Sequence, residues 1–87
     1  MSIKIPSLMK VKVYAPLKTY YDQEATSLSA ENDTGPFDVL PGHKNFMSLL
    51  KPCIIIVRSP GRPDFKLRVE RGVVHVKANQ TTVFLDV

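Results

Sequence analysis

Few side chains in this 87-residue chain are suited to metal binding or nucleophilic catalysis: two histidines, His43 and His75, and one cysteine, Cys53. A structural zinc site takes about four His, Cys or acidic ligands, usually in closely spaced pairs. These three residues are too few and too far apart in the sequence to form one. His75 also alternates with valines and is expected to be a solvated surface residue. We therefore expect no bound metal and no cofactor.

Two further arrangements could support catalysis. Cys53 with His43 could act as a nucleophile and its base, but Cys53 leads into the most apolar segment, where a buried and inert thiol is usual. Residues 59–62 (SPGR) are typical of a hairpin turn and lack the lysine pattern of a Walker phosphate loop. The sequence therefore predicts a protein that is not an enzyme and has no small-molecule substrate.

Length and composition predict a single domain, residues 1–87. Hydrophobic residues make up 44% of the chain and charged residues 23%, which is ordinary for a folded domain. A single cysteine allows no intramolecular disulfide, which favours a reducing, intracellular setting. The longest apolar run, residues 53–57, is far shorter than the roughly 20 residues of a transmembrane helix, so we expect no membrane insertion. Residues 1–10 lack the apolar segment of a signal peptide, and we expect the chain to begin at Met1.

The net charge of +4 would suit an acidic partner, which could be nucleic acid, anionic lipid or an acidic protein surface. Four cationic residues could form a basic face: Lys66, Arg68, Arg71 and Lys77. The same residues, with Glu70 among them, also fit the water-facing side of alternating strands. The charge alone does not choose between these interpretations.

A protein that binds single-stranded nucleic acid would also need outward aromatic rings as stacking platforms. Tyr20 and Tyr21 are the only adjacent aromatic pair, and one of them must face outward. We expect Phe65 and Phe84 in the core, because they fall in predicted strands. Little stacking surface is left.

Hydrophobic periodicity predicts an all-β protein of about eight short strands, arranged as a sandwich or small barrel. The clearest predicted strands are residues 9–13, 18–21, 24–30, 54–57, 65–70, 73–76 and 81–85. A tight turn is predicted at residues 22–23 and a hairpin turn at residues 78–80. The β-branched run at residues 54–57 does not alternate, which predicts a central strand buried on both faces.

The segment FDVLPGHKNFMSLL, residues 37–50, differs from an ordinary connection between strands. Pro41 fixes one φ angle and Gly42 frees the next, so we expect a sharp exposed corner that presents His43 to a partner. The alternative is that His43 is a plain loop residue bonded to nearby backbone. Apolar residues spaced i, i+3 and i+4 within residues 44–50 predict one short helical turn after the corner.

The sequence LPGH at residues 40–43, followed by an apolar run that ends in LKP at residues 50–52, resembles the signature of the epsilon subunit of F-type ATP synthases, called delta in mitochondria. Other features agree in order: Ala15-Pro16, Gly35, Gly72 and the segment VFLD at residues 83–86. The resemblance covers residues 10–87, which is nearly the whole chain.

The resemblance implies a β-sandwich of about ten short strands in the rotor, or central stalk, of that enzyme. Such a domain binds the gamma subunit and the c-ring, and it couples ion-driven rotation to ATP synthesis or hydrolysis. A peripheral position at the cytoplasmic face of the membrane is implied, with no direct binding of nucleic acid. The residues expected to contact the c-ring or gamma are Leu40, Pro41, Gly42, His43 and Lys44.

Typical family members continue into two inhibitory C-terminal helices that can bind ATP, and no residues of this chain correspond to them. We therefore do not expect inhibition or ATP sensing. Residues 1–8 fall outside the resemblance and are expected to form a flexible N-terminal extension.

Three residues depart from the family pattern. Asp38 stands where glycine is usual, and Asp tolerates unusual backbone angles better than most residues. Cys53 also replaces a usual glycine, which indicates that a side chain fits there. Pro36 stands where many members have a polar or acidic residue facing the ring, so one polar contact is lost.

An alternative function, from a different class, is that of a small basic β-barrel that binds single-stranded nucleic acid. The affinity of such a protein would fall steeply as salt rises. A protein interface with an apolar centre would respond less to salt, which separates the two hypotheses.

Overall fold

The computed structural model of the protein describes residues 7–86, and these residues form nine strands. The strands are β1 (Met9–Ala15), β2 (Lys18–Ala25), β3 (Ser27–Asn32), β4 (Gly35–Val39), β5 (Phe46–Leu50), β6 (Cys53–Arg58), β7 (Phe65–Val69), β8 (Gly72–Lys77) and β9 (Gln80–Leu85). The predicted all-β class is confirmed. The nine strands of the described residues compare with about eight predicted from hydrophobic periodicity and about ten implied by the family resemblance.

The strands form two sheets that enclose one hydrophobic core. The five-stranded sheet has the order β2-β1-β9-β8-β5, and the four-stranded sheet has the order β4-β3-β6-β7. Neighbouring strands are antiparallel except for β1 and β9, which run parallel. The core contains fully buried side chains from both sheets, such as Val11 and Val83 from one and Leu28 and Ile55 from the other. The predicted β-sandwich is therefore present.

β1 shows how an alternating sequence produces a strand with one buried face. Met9, Val11 and Val13 are buried, whereas Lys10 and Lys12 are exposed. Burying one such apolar side chain contributes about 1.5–3 kcal/mol, and a lysine ammonium keeps its hydration only if it stays in water. This pattern leaves the outer face of the sheet open to solvent.

The predicted tight turn at residues 22–23 is wrong, because β2 continues through it. These residues pair with β1, and Lys10 Nζ lies 3.3 Å from Asp22 Oδ1. The chain leaves the five-stranded sheet only at Thr26, whose backbone N–H donates to the Arg58 carbonyl oxygen at 2.8 Å. Cross-strand pairing of polar side chains on the solvent side has therefore overridden the local turn tendency of Asp.

The predicted helical turn in residues 44–50 is also wrong, because β5 occupies this segment and the described residues contain no helix. β5 pairs antiparallel with β8 along its whole length. Its side chains alternate, with Leu50 buried and Met47 and Leu49 exposed. Pairing with β8 satisfies backbone groups that one isolated turn of helix would leave to solvent, which favours the strand.

β6 lies inside the four-stranded sheet, between β3 and β7, as expected for a central strand. Only one of its faces is buried: Ile55 and Val57 are buried, while Ile54 is 52% exposed. No described element covers the outer face of this sheet, so the predicted burial on both faces is wrong. The β-branched run reflects strand propensity rather than two-sided burial.

A two-residue turn, Ala78-Asn79, joins β8 to β9. Its φ angles are +52° and +62°, the left-handed conformation that tight hairpins require. Gln80, predicted as part of the turn, begins β9. At the start of β8, a Cβ on Gly72 would lie 2.9 Å from the Phe84 carbonyl oxygen, so only glycine fits this close approach.

The division into one domain and the flexible extension at residues 1–8 stay predictions. Residues 1–6 lie outside the described part of the chain. Between residues 7 and 86, no helix is long and apolar enough to span a membrane.

Candidate functional site

The corner at residues 40–44 follows β4 directly, and its backbone forms a tight turn. The His43 N–H donates to the Leu40 carbonyl oxygen at 3.1 Å, which closes a four-residue turn. Pro41 takes the second position and Gly42 the third, where φ is +81°. This is the type II arrangement, whose third residue needs a positive φ that glycine adopts without strain. The sharp corner expected from Pro41 and Gly42 is present.

All five residues predicted to contact a partner lie together on this corner. Leu40, Gly42, His43 and Lys44 are exposed, and Pro41 is half-buried. The exposed fraction of Leu40 is 54%, which is high for a leucine. The corner therefore presents an apolar side chain next to an imidazole and an ammonium group.

The His43 ring is held in a defined position although it is exposed. Its Nδ1 lies 2.8 Å from the Lys44 carbonyl oxygen, and because a carbonyl only accepts, Nδ1 carries the proton in this contact. The ring also packs edge-on against Phe46, with centroids 5.6 Å apart. Both interpretations of His43, the backbone-bonded loop residue and the presented contact residue, fit this geometry.

Two asparagines connect the corner, and the residue that follows it, to the β8–β9 hairpin. The Gly42 N–H donates to Asn79 Oδ1 at 3.0 Å. In the opposite direction, the Ala78 N–H donates to Asn45 Oδ1 at 3.4 Å. The corner is thus attached to the turn between β8 and β9, which favours a loop of defined shape.

A second surface, which the sequence analysis missed, crosses the outer face of the five-stranded sheet. Strand register places four side chains side by side on this face: Leu49, Val73, Phe84 and Tyr14. We call this set the apolar row. Leu49 is 73% exposed and Phe84 is 38% exposed, and the Tyr14 and Phe84 rings meet edge-on at 5.2 Å. Large exposed apolar residues that adjoin one another are uncommon on isolated domains and mark interaction surfaces.

Polar groups surround the apolar row. Lys12 Nζ lies 4.9 Å from the centre of the Tyr14 ring. A shallow depression of about 360 Å³ adjoins the row and is lined partly by Arg71 and Asp86. An apolar centre with a charged rim is the usual composition of a protein–protein interface.

Phe84 was expected in the core, and this prediction is wrong. Its neighbours Val83 and Leu85 are both buried, and adjacent residues of a strand point to opposite faces, so Phe84 faces outward. The same alternation exposes Leu49 beside the buried Leu50. The period of the strand thus places Phe84 on the outer face, although its hydrophobicity favours the core. Phe65 is half-buried against Tyr21, with ring centroids 5.1 Å apart.

The cationic residues proposed for a basic face do not share one face. Lys66 and Arg68 lie on the outer side of β7 in the four-stranded sheet, whereas Lys77 belongs to β8 in the other sheet. Arg68 Nε is also 3.6 Å from Glu70 Oε1, so part of the charge is neutralised locally. The described surface therefore holds no continuous basic stripe formed by these residues.

The remaining candidates for chemistry stay separate. Cys53 is buried at 4% exposure, as expected, and His75 is exposed, as expected. Among the described residues, no three His, Cys, Asp or Glu side chains come together as metal ligands. The described geometry is that of a β-sandwich with two exposed candidate surfaces, the corner at residues 40–44 and the apolar row.

Family comparison identifies this class of sandwich. The family of the "ATP synthase, Delta/Epsilon chain, beta-sandwich domain" matches residues 8–87, and the chain belongs to that family. One curated relative is the ATP synthase epsilon chain of Nitratiruptor sp., which is 28% identical over an alignment that covers 90% of this chain and 60% of the relative. Another is the ATP synthase epsilon chain of Psychrobacter cryohalolentis, which is 31% identical over 90% of this chain and 56% of the relative. The chain thus spans about three fifths of the length of these relatives.

Two solved structures have the same fold. A chain of the Euglena gracilis mitochondrial ATP synthase, in a structure of OSCP, F1 and the c-ring, superposes with a TM-score of 0.86 at 17% identity, covering 98% of this chain and 54% of that chain. A chain of the Tetrahymena thermophila mitochondrial ATP synthase, in a structure of the central stalk and c-ring, superposes with a TM-score of 0.78 at 19% identity, covering 95% and 66%.

Proposed function

We propose that the chain is a central-stalk component of an F-type ATP synthase that binds the gamma subunit and the c-ring and transmits rotation between them. It is a non-catalytic subunit that sits peripherally at the cytoplasmic face of the membrane. The main support for the proposal is the corner at residues 40–44, which a hydrogen bond holds to the β8–β9 hairpin, on a domain that belongs to the ATP synthase delta/epsilon family.

The apolar row suits the gamma subunit. A subunit that stays bound while the rotor turns needs a lasting interface, and lasting interfaces have apolar centres more often than transient ones. Leu49 and Phe84 supply such a centre, and Lys12 and Arg71 supply a polar rim. We therefore assign gamma to the outer face of the five-stranded sheet.

The corner suits the c-ring. Its exposed surface combines Leu40 with the polar groups of His43 and Lys44, which can meet the polar loops of a ring at the membrane surface. The corner is small, so it would act together with the gamma interface rather than hold the ring alone. This division gives each partner its own surface.

Torque transmission also requires a stiff body between the two surfaces. Buried side chains from both sheets form one continuous core. Close-packed interiors are nearly incompressible and transmit displacement. A force applied at the corner would thus reach the apolar row with little loss.

Calorimetry tests the proposal directly. The chain would be titrated with the gamma subunit from the same genome at low and high salt, and with a single-stranded oligonucleotide as the control ligand. Tight binding to gamma that persists at high salt supports the stalk assignment. Absence of binding to gamma, together with salt-sensitive binding to the oligonucleotide, would replace it with the nucleic-acid alternative.

A further inference from the structure

We propose that Asn79 is a positioning residue for the corner at residues 40–44, and that its side chain sets the orientation of the peptide that links Pro41 to Gly42. The inference deepens the proposed function, on which it rests, because that corner is the assigned contact with the c-ring.

The Asn79 amide makes two hydrogen bonds in opposite directions. Its Oδ1 accepts from the Gly42 N–H at 3.0 Å, and its Nδ2 donates to the Leu8 carbonyl oxygen at 2.7 Å. A backbone N–H only donates and a carbonyl only accepts, so these partners determine which side-chain atom is oxygen and which is nitrogen. One side chain thus joins the corner, the β8–β9 hairpin and the residue before β1.

The backbone of Asn79 restricts the choice of residue further. Its φ of +62° lies in the left-handed region, which Gly and Asn adopt most readily. Its carbonyl oxygen accepts from the Lys10 N–H at 3.2 Å, which fixes the hairpin against β1. Glycine would satisfy the conformation of the turn but would remove both side-chain hydrogen bonds. Asn satisfies all of these requirements.

The bond to Gly42 acts on the part of the corner that is free to flip. Type I and type II turns differ by rotation of the peptide between their second and third residues, here Pro41 and Gly42. Glycine at the third position accepts either form, because it tolerates both signs of φ. The Gly42 N–H belongs to that peptide, so its bond to Asn79 favours type II over type I. The type II form also orients the backbone that carries His43.

Three variants of the 87-residue chain separate the side-chain bonds from the hairpin backbone. Asn79→Gly keeps the left-handed turn and removes both bonds. Asn79→Asp keeps an acceptor for Gly42 but cannot donate to Leu8. Ala78→Gly is the matched control, because Ala78 is also left-handed, at φ +52°, and its side chain bridges nothing.

Nuclear magnetic resonance gives a signature that a merely structural role would not produce. Two quantities are measured: the exchange rate of the Gly42 amide, and the Overhauser contact between the Pro41 Hα and the Gly42 amide proton, which is short in a type II turn. In Asn79→Gly we expect the Gly42 amide to exchange about tenfold faster, as loss of one hydrogen bond predicts, with a weaker Overhauser contact. Asn79→Asp and Ala78→Gly should retain both signals.

Unchanged Gly42 signals in Asn79→Gly would overturn the proposal. Equal loss in Asn79→Asp and Asn79→Gly would overturn it too, because the aspartate retains the acceptor. A measurement of c-ring affinity then separates this inference from the proposed function. Suppose that the Gly42 amide exchanges faster in Asn79→Gly, but that this variant and His43→Ala both bind the c-ring normally. Asn79 then positions the corner, and the proposed contact between the corner and the c-ring is wrong.

Discussion

The corner at residues 40–44 and the apolar row expose their functional groups by different means. In the corner, a type II turn with Gly42 at φ +81° determines where each side chain points. In the apolar row, strand pairing aligns Leu49, Val73 and Phe84 across three strands, and none of these three residues has a positive φ. The corner thus depends on backbone conformation and the row on side-chain identity.

This difference determines how each surface can be damaged. Because the strands under the row are held by ladder hydrogen bonds and a buried core, a polar substitution on the row changes the surface but not its shape. In the corner, a substitution that forbids a positive φ moves several groups at once.

Leu49→Asp should weaken binding to gamma by about 30-fold or more, the range of an interface hot spot. The reason is that an ionised carboxylate would be buried without a partner at the centre of the interface. Calorimetry against gamma measures the change. Ile54→Asp is the matched control, because Ile54 is also an exposed strand residue, at 52%, but lies on the outer face of the other sheet. Equal losses in both variants would show that the row is not the gamma interface.

Gly42→Val should lower affinity for the c-ring by about tenfold, because a β-branched residue in the left-handed region costs about 1–2 kcal/mol and the turn would rearrange to avoid this. Binding to a purified ring, measured by surface plasmon resonance, reports the effect, and circular dichroism should show the same β-sandwich. Gly61→Val is the control: Gly61 has φ +68° in a different turn, and a Cβ there would meet no atom within 4 Å. Normal ring binding by Gly42→Val would argue against a contact role for the corner.

His43→Ala should reduce affinity for the c-ring by about threefold to tenfold, the value of one intermolecular hydrogen bond, and leave the melting temperature nearly unchanged. The His43 imidazole is exposed and its local hydrogen bond is to the neighbouring Lys44 carbonyl oxygen, so little of the domain's stability depends on this side chain. His75→Ala, another exposed histidine, serves as the control for both measurements. A lower melting temperature with unchanged binding would favour the plain loop interpretation.

The sequence predicted the features that depend on neighbouring residues. The alternation in β1 gave one buried face, and the pair Pro41-Gly42 gave the sharp corner, because both follow from the steric properties of a few adjacent residues. The family resemblance also rested on such a local motif, LPGH, and the family match over residues 8–87 confirms it.

Features that depend on distant strands were missed. Within residues 46–50, the apolar positions fit both a helical and a strand period, and five residues are too few to separate them. Pairing with β8, which follows more than twenty residues later in the chain, stabilises the strand rather than a helical turn. The apolar row and the bond from Asn79 to Gly42 likewise join parts of the chain that only the fold brings together.

Whether the two partners bind two separate surfaces can be determined by measuring the affinities of Leu49→Asp and Gly42→Val for gamma and for the c-ring in parallel. We expect Leu49→Asp to lose affinity for gamma while keeping its affinity for the ring, and Gly42→Val to show the reverse. If either variant loses both partners while its circular dichroism stays native, or if the losses are exchanged, the assignment of gamma to the apolar row and of the ring to the corner is wrong.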